Sequence, residues 1–306
     1  MGDIDLVRLN FNPESLGLLN VILGIVMFGV AMDMKLSDFK GVLATPKPVM
    51  IGMVGQFVLL PAFSYLLILL IEPAPSIALG MMLVAACPGG NISNFLTHFS
   101  RGNTALSVTM TAISTAVAIV MTPLNFSFWS SLNPKTATLL NSVSLDPAEM
   151  LLAVFMLLGV PMAAGLLVAR RFPAFAERTK KPMRVFSLVF FAIFVIGALI
   201  ANWQYFIKYV GFVVFAVFLQ NALALSAGYF AALFSGLPEA DRRAVSIEVG
   251  IQNSGLGLVL IFNFFDGLGG MAIVTAWWGI WHVISGFTVA GLWRRRPPTA
   301  TAAPTP

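Results

Sequence analysis

Long apolar segments follow one another along nearly the whole chain, and short polar or charged connections separate them. Apolar runs of 18 or more residues are typical of transmembrane helices, because a helix satisfies its own backbone hydrogen bonds in lipid. A β-barrel would instead show short segments in which polar and apolar residues alternate. The pattern therefore predicts an all-α polytopic membrane protein.

Nine transmembrane spans are predicted from this pattern. They lie at 16–34, 48–71, 76–99, 103–131, 148–169, 185–202, 209–235, 244–265 and 269–293. Residues 1–15 form a polar N-terminal segment without the basic stretch of a cleaved signal peptide. The Pro-, Ala- and Thr-rich end of the chain, 294–306, is expected to be a disordered cytoplasmic tail.

The basic residues indicate the orientation of these spans. With nine spans and an outer N-terminus, all but three of the 18 Lys and Arg residues fall on the cytoplasmic side. The three exceptions are Arg8, Lys135 and Lys208. Such a cytoplasmic excess is the usual bias of membrane proteins. We therefore expect a multi-pass protein of the cell membrane with a cytoplasmic C-terminus, and we interpret the basic run 170–184 as a cytoplasmic loop.

Composition excludes several other classes of protein. Only 10% of the residues are charged, against about 25% in soluble globular domains. The net charge of +5 lies in the connections between spans, so it does not indicate nucleic-acid binding. Cys87 is the single cysteine, which excludes an intramolecular disulfide. No hydrolase, zinc or phosphate-loop motif is present, so neither an enzyme nor a cofactor is predicted.

Two spans, the third and the eighth, are interrupted near the middle of the membrane. The third contains CPGGNISN at 87–94, where Pro88 lacks a backbone donor and two glycines follow. The eighth contains SIEVGIQNSGLG at 246–257, with three glycines and Glu248, the only acidic residue well inside a predicted span. A pair of glycine-interrupted spans in two halves of opposite orientation is typical of a transporter binding site.

Oxygen-bearing side chains accompany these interruptions inside apolar segments. They are Gln56, Ser93, Asn94, Ser107, Thr111, Glu248 and Gln252. One carboxylate among many neutral oxygens suits a monovalent cation better than Ca²⁺. Sodium is therefore favoured as the coupling ion, with a proton on Glu248 as the alternative. The N-termini of half-helices carry partial positive charge, so they favour an anionic substrate.

Five motifs together resemble the bile acid:sodium symporter family. They are GQFVLLP at 55–61, CPGGNISN at 87–94, RGNTALSVTMTAIST at 101–115, IEVGIQNSGL at 247–256 and WHVISG at 281–286. Each motif is short, but their combination is specific, and the resemblance covers the chain from about residue 16 to 293.

The resemblance implies an architecture of two inverted repeats that form a panel domain and a core domain. The panel would contain 16–34, 148–169 and 185–202, and the core 48–131 and 209–293. The third and eighth spans would cross at their breaks inside the core. The nine spans and the outer N-terminus are similar to the layout of the mammalian liver carrier of the family.

The resemblance also implies a set of binding residues. A first sodium site would use Ser93, Asn94, Ser107, Thr111 and Glu248. A second would use the side chains of Gln56 and Gln252 with backbone oxygens around Glu248, Val249 and Ile251. Substrate-lining candidates are Asn91, Asn253, His282 and Ser285. Val283 stands where bacterial relatives have an asparagine in this motif, so one polar contact is lost and the substrate stays open.

The expected function is sodium-coupled symport of an organic anion by alternating access. Two Na⁺, one organic anion and the lipid bilayer are the expected partners. The substrate classes that fit are bile acids, steroid conjugates and small carboxylates. Two alternatives stay open, a proton-coupled transporter of the same fold and a non-transporting membrane receptor for sterol-like anions. Oligomeric state is not predicted.

Overall fold

The computed structural model describes residues 2–8, 15–34, 46–142, 147–201, 203–296 and 298. Within these residues all regular secondary structure is helical, apart from two isolated pairs of bridged residues. The predicted helical class is therefore confirmed for the described part of the chain. Most of the predicted tail 294–306 and part of the N-terminal segment lie outside the described residues.

Twelve helices are numbered below in chain order for these residues. They are α1 (Ser15–Asp33), α2 (Pro46–Ile71), α3 (Pro75–Ala86), α4 (Ile92–Phe99), α5 (Thr104–Ser131), α6 (Pro134–Ser142), α7 (147–171), α8 (Pro173–Ala201), α9 (Trp203–Phe234), α10 (Glu239–Gly250), α11 (Ser254–Phe264) and α12 (Gly269–Arg294). Five of them, α2, α5, α7, α9 and α12, are long and apolar enough to cross a membrane. The full set of nine crossings and the inverted repeats stay predictions.

Proline marks the start of several helices. Pro46, Pro75, Pro134, Pro147 and Pro173 each occupy the first position of a helix. The first N–H of a helix has no partner within that helix, so proline loses nothing there and its fixed φ favours the helical turn. These residues locate helix starts that the apolar pattern alone leaves uncertain by several residues.

The basic run 170–184 is helical, so its interpretation as a loop is wrong. Helix α7 ends at Arg171 and α8 begins at Pro173, then continues through the charged residues and past Pro182. Ala, Glu, Arg and Lys are strong helix formers, and Lys180 pairs with Glu177 at 3.0 Å along the helix. The connection before α7 also contains the short helix α6, which the sequence analysis does not predict.

A π-helical turn interrupts α2 at Gly55–Leu59, just before Pro61. Pro61 has no N–H to donate to the carbonyl oxygen of Phe57, four residues earlier. The Nδ2 of Asn125 on α5 donates to that oxygen instead, at 3.1 Å. A second π-helical turn, Phe155–Gly159, precedes a proline in α7. The turn in α2 places Gln56 among buried residues at the centre of the protein.

Helix packing separates two groups of elements. Helix α1 packs against α7 and α8, which are the three helices of the predicted panel. Gly165 of α7 lies so close to α1 that an added Cβ would meet the Phe28 carbonyl oxygen and the Ala31 side chain. Helices α9, α10 and α12 pack against one another and against α2, α3 and α4. The division into panel and core stays a prediction, which these contacts favour.

The N-terminal segment contacts the ends of two core helices. The Asp5 carboxylate accepts a hydrogen bond at 2.8 Å from the backbone N–H of Ser76, in the first turn of α3. The backbone N–H of Gly269, the first residue of α12, donates to the Val7 carbonyl oxygen at 2.9 Å. A negative side chain at a helix N-terminus is stabilising. This segment therefore holds the starts of α3 and α12 together.

A reciprocal amide pair joins α1 to α11 on the same side of the molecule. Asn20 Nδ2 donates to Asn263 Oδ1 at 2.9 Å, and Asn263 Nδ2 donates back to Asn20 Oδ1 at 2.8 Å. Next to it, the rings of Phe194 on α8 and Phe262 on α11 meet edge to face. These contacts link α1 and α8, which belong to the predicted panel, to the end of the eighth predicted span.

Arg243 ties several core elements together at the opposite end. Its side chain is buried, and Nη1 donates to the carbonyl oxygens of Ser100 at 2.8 Å and Trp293 at 3.1 Å. Nη2 donates to the Arg296 carbonyl oxygen at 2.7 Å, and Nε donates to the Glu239 carboxylate at 2.9 Å. One guanidinium therefore joins the α4–α5 connection, the start of α10 and the end of α12.

Candidate ion and substrate site

The third predicted span is broken between α3 and α4. Helix α3 ends at Ala86, and Cys87 is extended with φ −69° and ψ 156°. The next helix begins at Ile92, so Pro88, Gly89 and Gly90 lie in the gap. Pro88 cannot continue the helical hydrogen-bond ladder, and the glycines add no side chain to the unwound backbone. The sequence motif therefore produces the interruption that it predicts.

The eighth predicted span is broken in the same way between α10 and α11. Helix α10 ends at Gly250, and Ile251 is extended with φ −113° and ψ 105°. Helix α11 begins at Ser254, where the Asn253 side chain accepts a hydrogen bond from the Leu256 N–H at 3.1 Å. Asn253 therefore acts as the N-cap of the second half-helix, a position that asparagine favours.

The two breaks pair with each other. The Gly90 N–H donates to the Ile251 carbonyl oxygen at 2.8 Å, and the Asn253 N–H donates to the Pro88 carbonyl oxygen at 2.9 Å. Between them Gly89 and Gln252 form an isolated antiparallel bridge. Unwound backbone at membrane depth is tolerated only where protein or water satisfies it. Here each break supplies hydrogen-bond partners to the other.

Side chains from neighbouring helices bind the carbonyl groups that the breaks release. Thr122 Oγ1 on α5 donates to the Ala86 carbonyl oxygen at 2.8 Å. Asn221 Nδ2 on α9 donates to the Gly250 carbonyl oxygen at 2.8 Å. These two carbonyl groups belong to the last residues of α3 and α10. Both half-helices are thus capped at their C-terminal ends by an uninterrupted helix.

The Glu248 carboxylate is completely buried and is surrounded by hydroxyl groups. Ser93 Oγ donates to its Oε2 at 2.7 Å, and Thr111 Oγ1 lies 2.9 Å from Oε1 and 3.0 Å from Oε2. Ser107 Oγ is 3.5 Å from Oε2 and donates to Asn94 Oδ1 at 2.9 Å. The structure therefore brings together all five residues expected at the first sodium site.

Gly89 lies directly against this carboxylate. A Cβ atom added at Gly89 would overlap Glu248 Oε1 and would lie 2.9 Å from Glu248 Cδ. The φ of Gly89 is outside the left-handed region, so the need for glycine here is one of space. The break in the third span thus supplies the room that the carboxylate of the eighth span occupies.

The second expected sodium site is assembled around two glutamines. Gln56 Nε2 donates to Gln252 Oε1 at 2.7 Å and to the Cys87 carbonyl oxygen at 2.8 Å. Gln252 Nε2 donates to the Val249 carbonyl oxygen at 2.7 Å. The Ile251 carbonyl oxygen accepts from Gly90 and retains a second lone pair. The two glutamine side chains and the Val249 carbonyl group are therefore in contact, and the Ile251 carbonyl group directly precedes Gln252 in the chain.

The expected substrate-lining residues lie on three elements around the breaks. Asn91 is exposed at the start of α4, and Asn253 is half-buried at the start of α11. His282 on α12 is buried, and its Nδ1 has no hydrogen-bond partner within the described part of the chain. Ser285 Oγ lies 2.5 Å from Asn221 Oδ1 and 3.2 Å from the His282 carbonyl oxygen, so its hydroxyl proton is used within the protein. Asn91 and Asn253 flank the paired breaks, and His282 and Ser285 share one turn of α12.

The chemistry of the first cluster fits a hard monovalent cation. It presents one carboxylate together with three hydroxyl groups and one amide oxygen. Hard cations prefer oxygen ligands, and a buried carboxylate without a compensating charge is costly. Among the described residues, no three His, Cys, Asp or Glu side chains come together as a multivalent metal site would require. A single positive charge would balance Glu248.

The sequence alone does not predict a role for Asn221 or Thr122. Both contact carbonyl groups at the breaks, but neither lies in a motif that carries the family resemblance. The available signal for Asn221 was the polar pair formed with Gln220 inside the apolar seventh span. Polar side chains inside spans are usually hydrogen-bonded between helices, but the sequence does not show which carbonyl group they meet.

The sequence is similar to one family of known proteins. The sequence model of the Sodium Bile acid symporter family matches residues 20–209. The uncharacterized sodium-dependent transporter YocS of Bacillus subtilis is 30% identical over 279 residues, which cover 91% of this chain and 83% of that protein. The probable sodium/metabolite cotransporter BASS1 of Arabidopsis thaliana, a chloroplastic protein, is 33% identical over 279 residues.

The matched lengths differ among these relatives. The alignment with the Arabidopsis protein covers 90% of this chain but 66% of that protein. The P3 protein of Bos taurus is 32% identical over 264 residues, which cover 84% of this chain and 53% of the bovine protein. This chain therefore spans two thirds or less of the plant and bovine relatives. It belongs to the Sodium Bile acid symporter family, a family of sodium-dependent transporters.

Proposed function

We propose that this protein is a secondary active transporter that moves an organic anion together with Na⁺ across the cell membrane. The observation that carries the proposal is the buried Glu248 carboxylate inside a shell of hydroxyl and amide oxygens at the paired breaks. Such a shell offers a cation the oxygen ligands that replace its hydration water. Two Na⁺ are proposed, one at each oxygen cluster.

The proposed anion site lies beside the breaks, at Asn91, Asn253 and His282. Helices α4 and α11 both begin there, so their N-termini present backbone N–H groups and partial positive charge. Two Na⁺, one carboxylate and one monoanion have no net charge, which lowers the cost of the loaded site in the membrane. Bile acids, steroid conjugates and small carboxylates remain the substrate classes proposed.

Alternating access is proposed to occur by movement of the panel against the core. Panel helices contact the core through α1 with α11 and through α7 with α5. The paired breaks, in contrast, are joined to their neighbours by the network of buried hydrogen bonds around them. The core would therefore move as a unit with the site inside it. The orientation proposed is the one that the basic residues predict, with the N-terminus outside.

The test is sodium-driven uptake in proteoliposomes at fixed pH. Taurocholate and pantoate are suitable labelled probes, because they represent an amphipathic and a small organic anion. Uptake that follows an inward Na⁺ gradient supports the proposal. Uptake that follows a proton gradient without Na⁺ would instead identify the proton-coupled alternative. Saturable binding with no flux of either probe would favour the receptor.

Glu248→Gln is the matched variant for this assay. It keeps the shape of the side chain but removes the negative charge that would balance a cation, so sodium-driven uptake is expected to be lost. Asp241→Asn is the control, because it removes one carboxylate from the same helix, where Asp241 accepts a hydrogen bond from Asn103 at 2.8 Å. Undiminished sodium-driven uptake by Glu248→Gln would contradict the assignment of the ion site.

A further inference from the structure

Asn221 connects two other helices through a chain of hydrogen bonds. It is buried in α9, where its Nδ2 donates to the Gly250 carbonyl oxygen at 2.8 Å. Its Oδ1 accepts from Ser285 Oγ at 2.5 Å. Gly250 ends α10 at the break, and Ser285 lies on α12, one turn after His282. The chain therefore runs from α12 through α9 to the break in the eighth span.

The chemistry of the three groups determines the direction of these hydrogen bonds. A backbone carbonyl group can only accept, so the amide nitrogen of Asn221 must face Gly250. The amide oxygen then faces Ser285 at 2.5 Å, whereas the His282 carbonyl oxygen lies 3.2 Å from the same hydroxyl group. The one hydroxyl proton therefore goes to the amide oxygen, because two oxygen atoms at the shorter distance need a proton between them. A rotated amide would place two oxygen atoms against each other at Gly250. The orientation of the Asn221 amide is therefore determined by its partners.

The Gly250 carbonyl group lies between two carbonyl groups proposed to bind the second sodium ion. Val249 precedes it and Ile251 follows it in the chain. A peptide unit is planar, so a bond that holds the Gly250 oxygen also fixes the plane from which the Ile251 backbone continues. Leu225, one turn after Asn221 on α9, fills the space beside Gly250 in which a Cβ would lie. Helix α9 thus holds the end of α10 at two points.

We infer that Asn221 is a positioning residue of the second sodium site and that Ser285 acts through it. This inference rests on the proposed function. It also changes the role expected for Ser285, because the hydroxyl proton is used within the protein. An anion that approaches α12 beside His282 would compete with Asn221 for that proton. Anion and sodium would then act on one hydrogen-bond chain, which is a direct route for their coupling.

The test uses Na⁺ alone on the purified full-length protein in detergent. The thermal unfolding midpoint is measured over a NaCl titration, with choline chloride holding the ionic strength constant. A ligand that binds the native state raises this midpoint, so the titration yields an apparent Kd for Na⁺. Asn221→Ala leaves the Gly250 carbonyl group without its partner and is expected to raise this Kd about tenfold. Ser285→Ala is expected to raise it about threefold.

Gln220→Leu is the matched control. Gln220 is the neighbouring residue on α9, is equally buried, and donates its amide to Ser64 Oγ and to the Met81 carbonyl oxygen, both at 2.8 Å. This variant is expected to lower the midpoint without Na⁺ while leaving the Na⁺ Kd unchanged. The double variant Asn221→Ala with Ser285→Ala is expected to bind Na⁺ no more weakly than Asn221→Ala alone.

Each outcome decides the inference. A folded Asn221→Ala protein with the wild-type Na⁺ Kd would overturn it, and additive effects in the double variant would overturn the role of Ser285. If Asn221→Ala does not fold, Ser285→Ala decides alone. An unchanged Na⁺ Kd in Ser285→Ala would then overturn the inferred role of this hydrogen-bond chain. A wild-type protein whose midpoint does not respond to Na⁺ would instead overturn the proposed function, and this inference with it.

Discussion

Substitution of Gly89 by alanine tests the fit between the two broken spans. The added Cβ would overlap Glu248 Oε1, and the φ of Gly89 itself is acceptable for alanine. The carboxylate cannot turn away without cost, because Ser93 Oγ holds Oε2 at 2.7 Å and Thr111 Oγ1 holds Oε1 at 2.9 Å. The substitution must therefore displace Glu248 from at least one of its hydroxyl partners or separate the two breaks.

The size of the effect follows from the hydrogen bonds that are lost. A hydrogen bond to a charged group contributes about 1.5–3 kcal/mol, and each 1.4 kcal/mol corresponds to about a factor of ten in affinity. Loss of one bond to the Glu248 carboxylate is therefore expected to weaken Na⁺ binding about 10- to 100-fold in Gly89→Ala.

The assay is the sodium dependence of the thermal unfolding midpoint, followed by sodium-driven uptake in proteoliposomes. Gly291→Ala is the control, because Gly291 lies in α12 and a Cβ added there meets no atom within 4 Å. It is expected to keep the wild-type Na⁺ response and to gain up to about 1 kcal/mol of helix stability. A folded Gly89→Ala protein with the wild-type Na⁺ affinity would show that Glu248 does not bind the ion in the place described.

Two further predictions concern the ends of the molecule. Arg243→Met removes a buried guanidinium that binds three carbonyl oxygens. We therefore expect the thermal unfolding midpoint, measured without Na⁺, to fall by several degrees. An unchanged midpoint would contradict the role of Arg243 in joining these elements. Asn20→Leu removes half of the amide pair with Asn263, so panel and core should separate more easily on that side. In a Cys87→Ser background, an impermeant maleimide should label Asn253→Cys faster when Asn20→Leu is also present. Equal labelling rates with and without Asn20→Leu would contradict this role of the amide pair.

Local sequence rules predicted the breaks but not the residues that support them. Pro88 removes a backbone donor and the two glycines that follow it weaken the helix further, so the combined effect of this run can be read from the chain itself. A proline alone does not have this effect, since Pro182 lies inside α8. The role of Asn221 depends on a carbonyl group 29 residues away in the chain. That contact exists only after α9 and α10 have packed, so no spacing rule identifies it.

The site residues also divide into those that the motifs predict and those whose contacts depend on packing. The motifs predicted that Ser93, Thr111 and Glu248 lie together, because the family resemblance assigns them to one site. The structure places these three side chains in contact. The substrate-lining role of Ser285 stays a prediction, and the contact of its hydroxyl group with Asn221 is one that the motif does not predict. The loop expected at 170–184 was wrong, since charged residues that suggest a connection between spans are also good helix formers.

The mutual pairing of the two breaks has a consequence for synthesis of the protein. The N–H of Gly90 and the carbonyl oxygen of Pro88 find their partners in Ile251 and Asn253, which emerge from the ribosome much later. Until then these groups need water or the insertion machinery, because lipid offers them no hydrogen bond. A nascent chain that stops before α10 therefore cannot complete its own third span, and maturation of the first half must wait for the second.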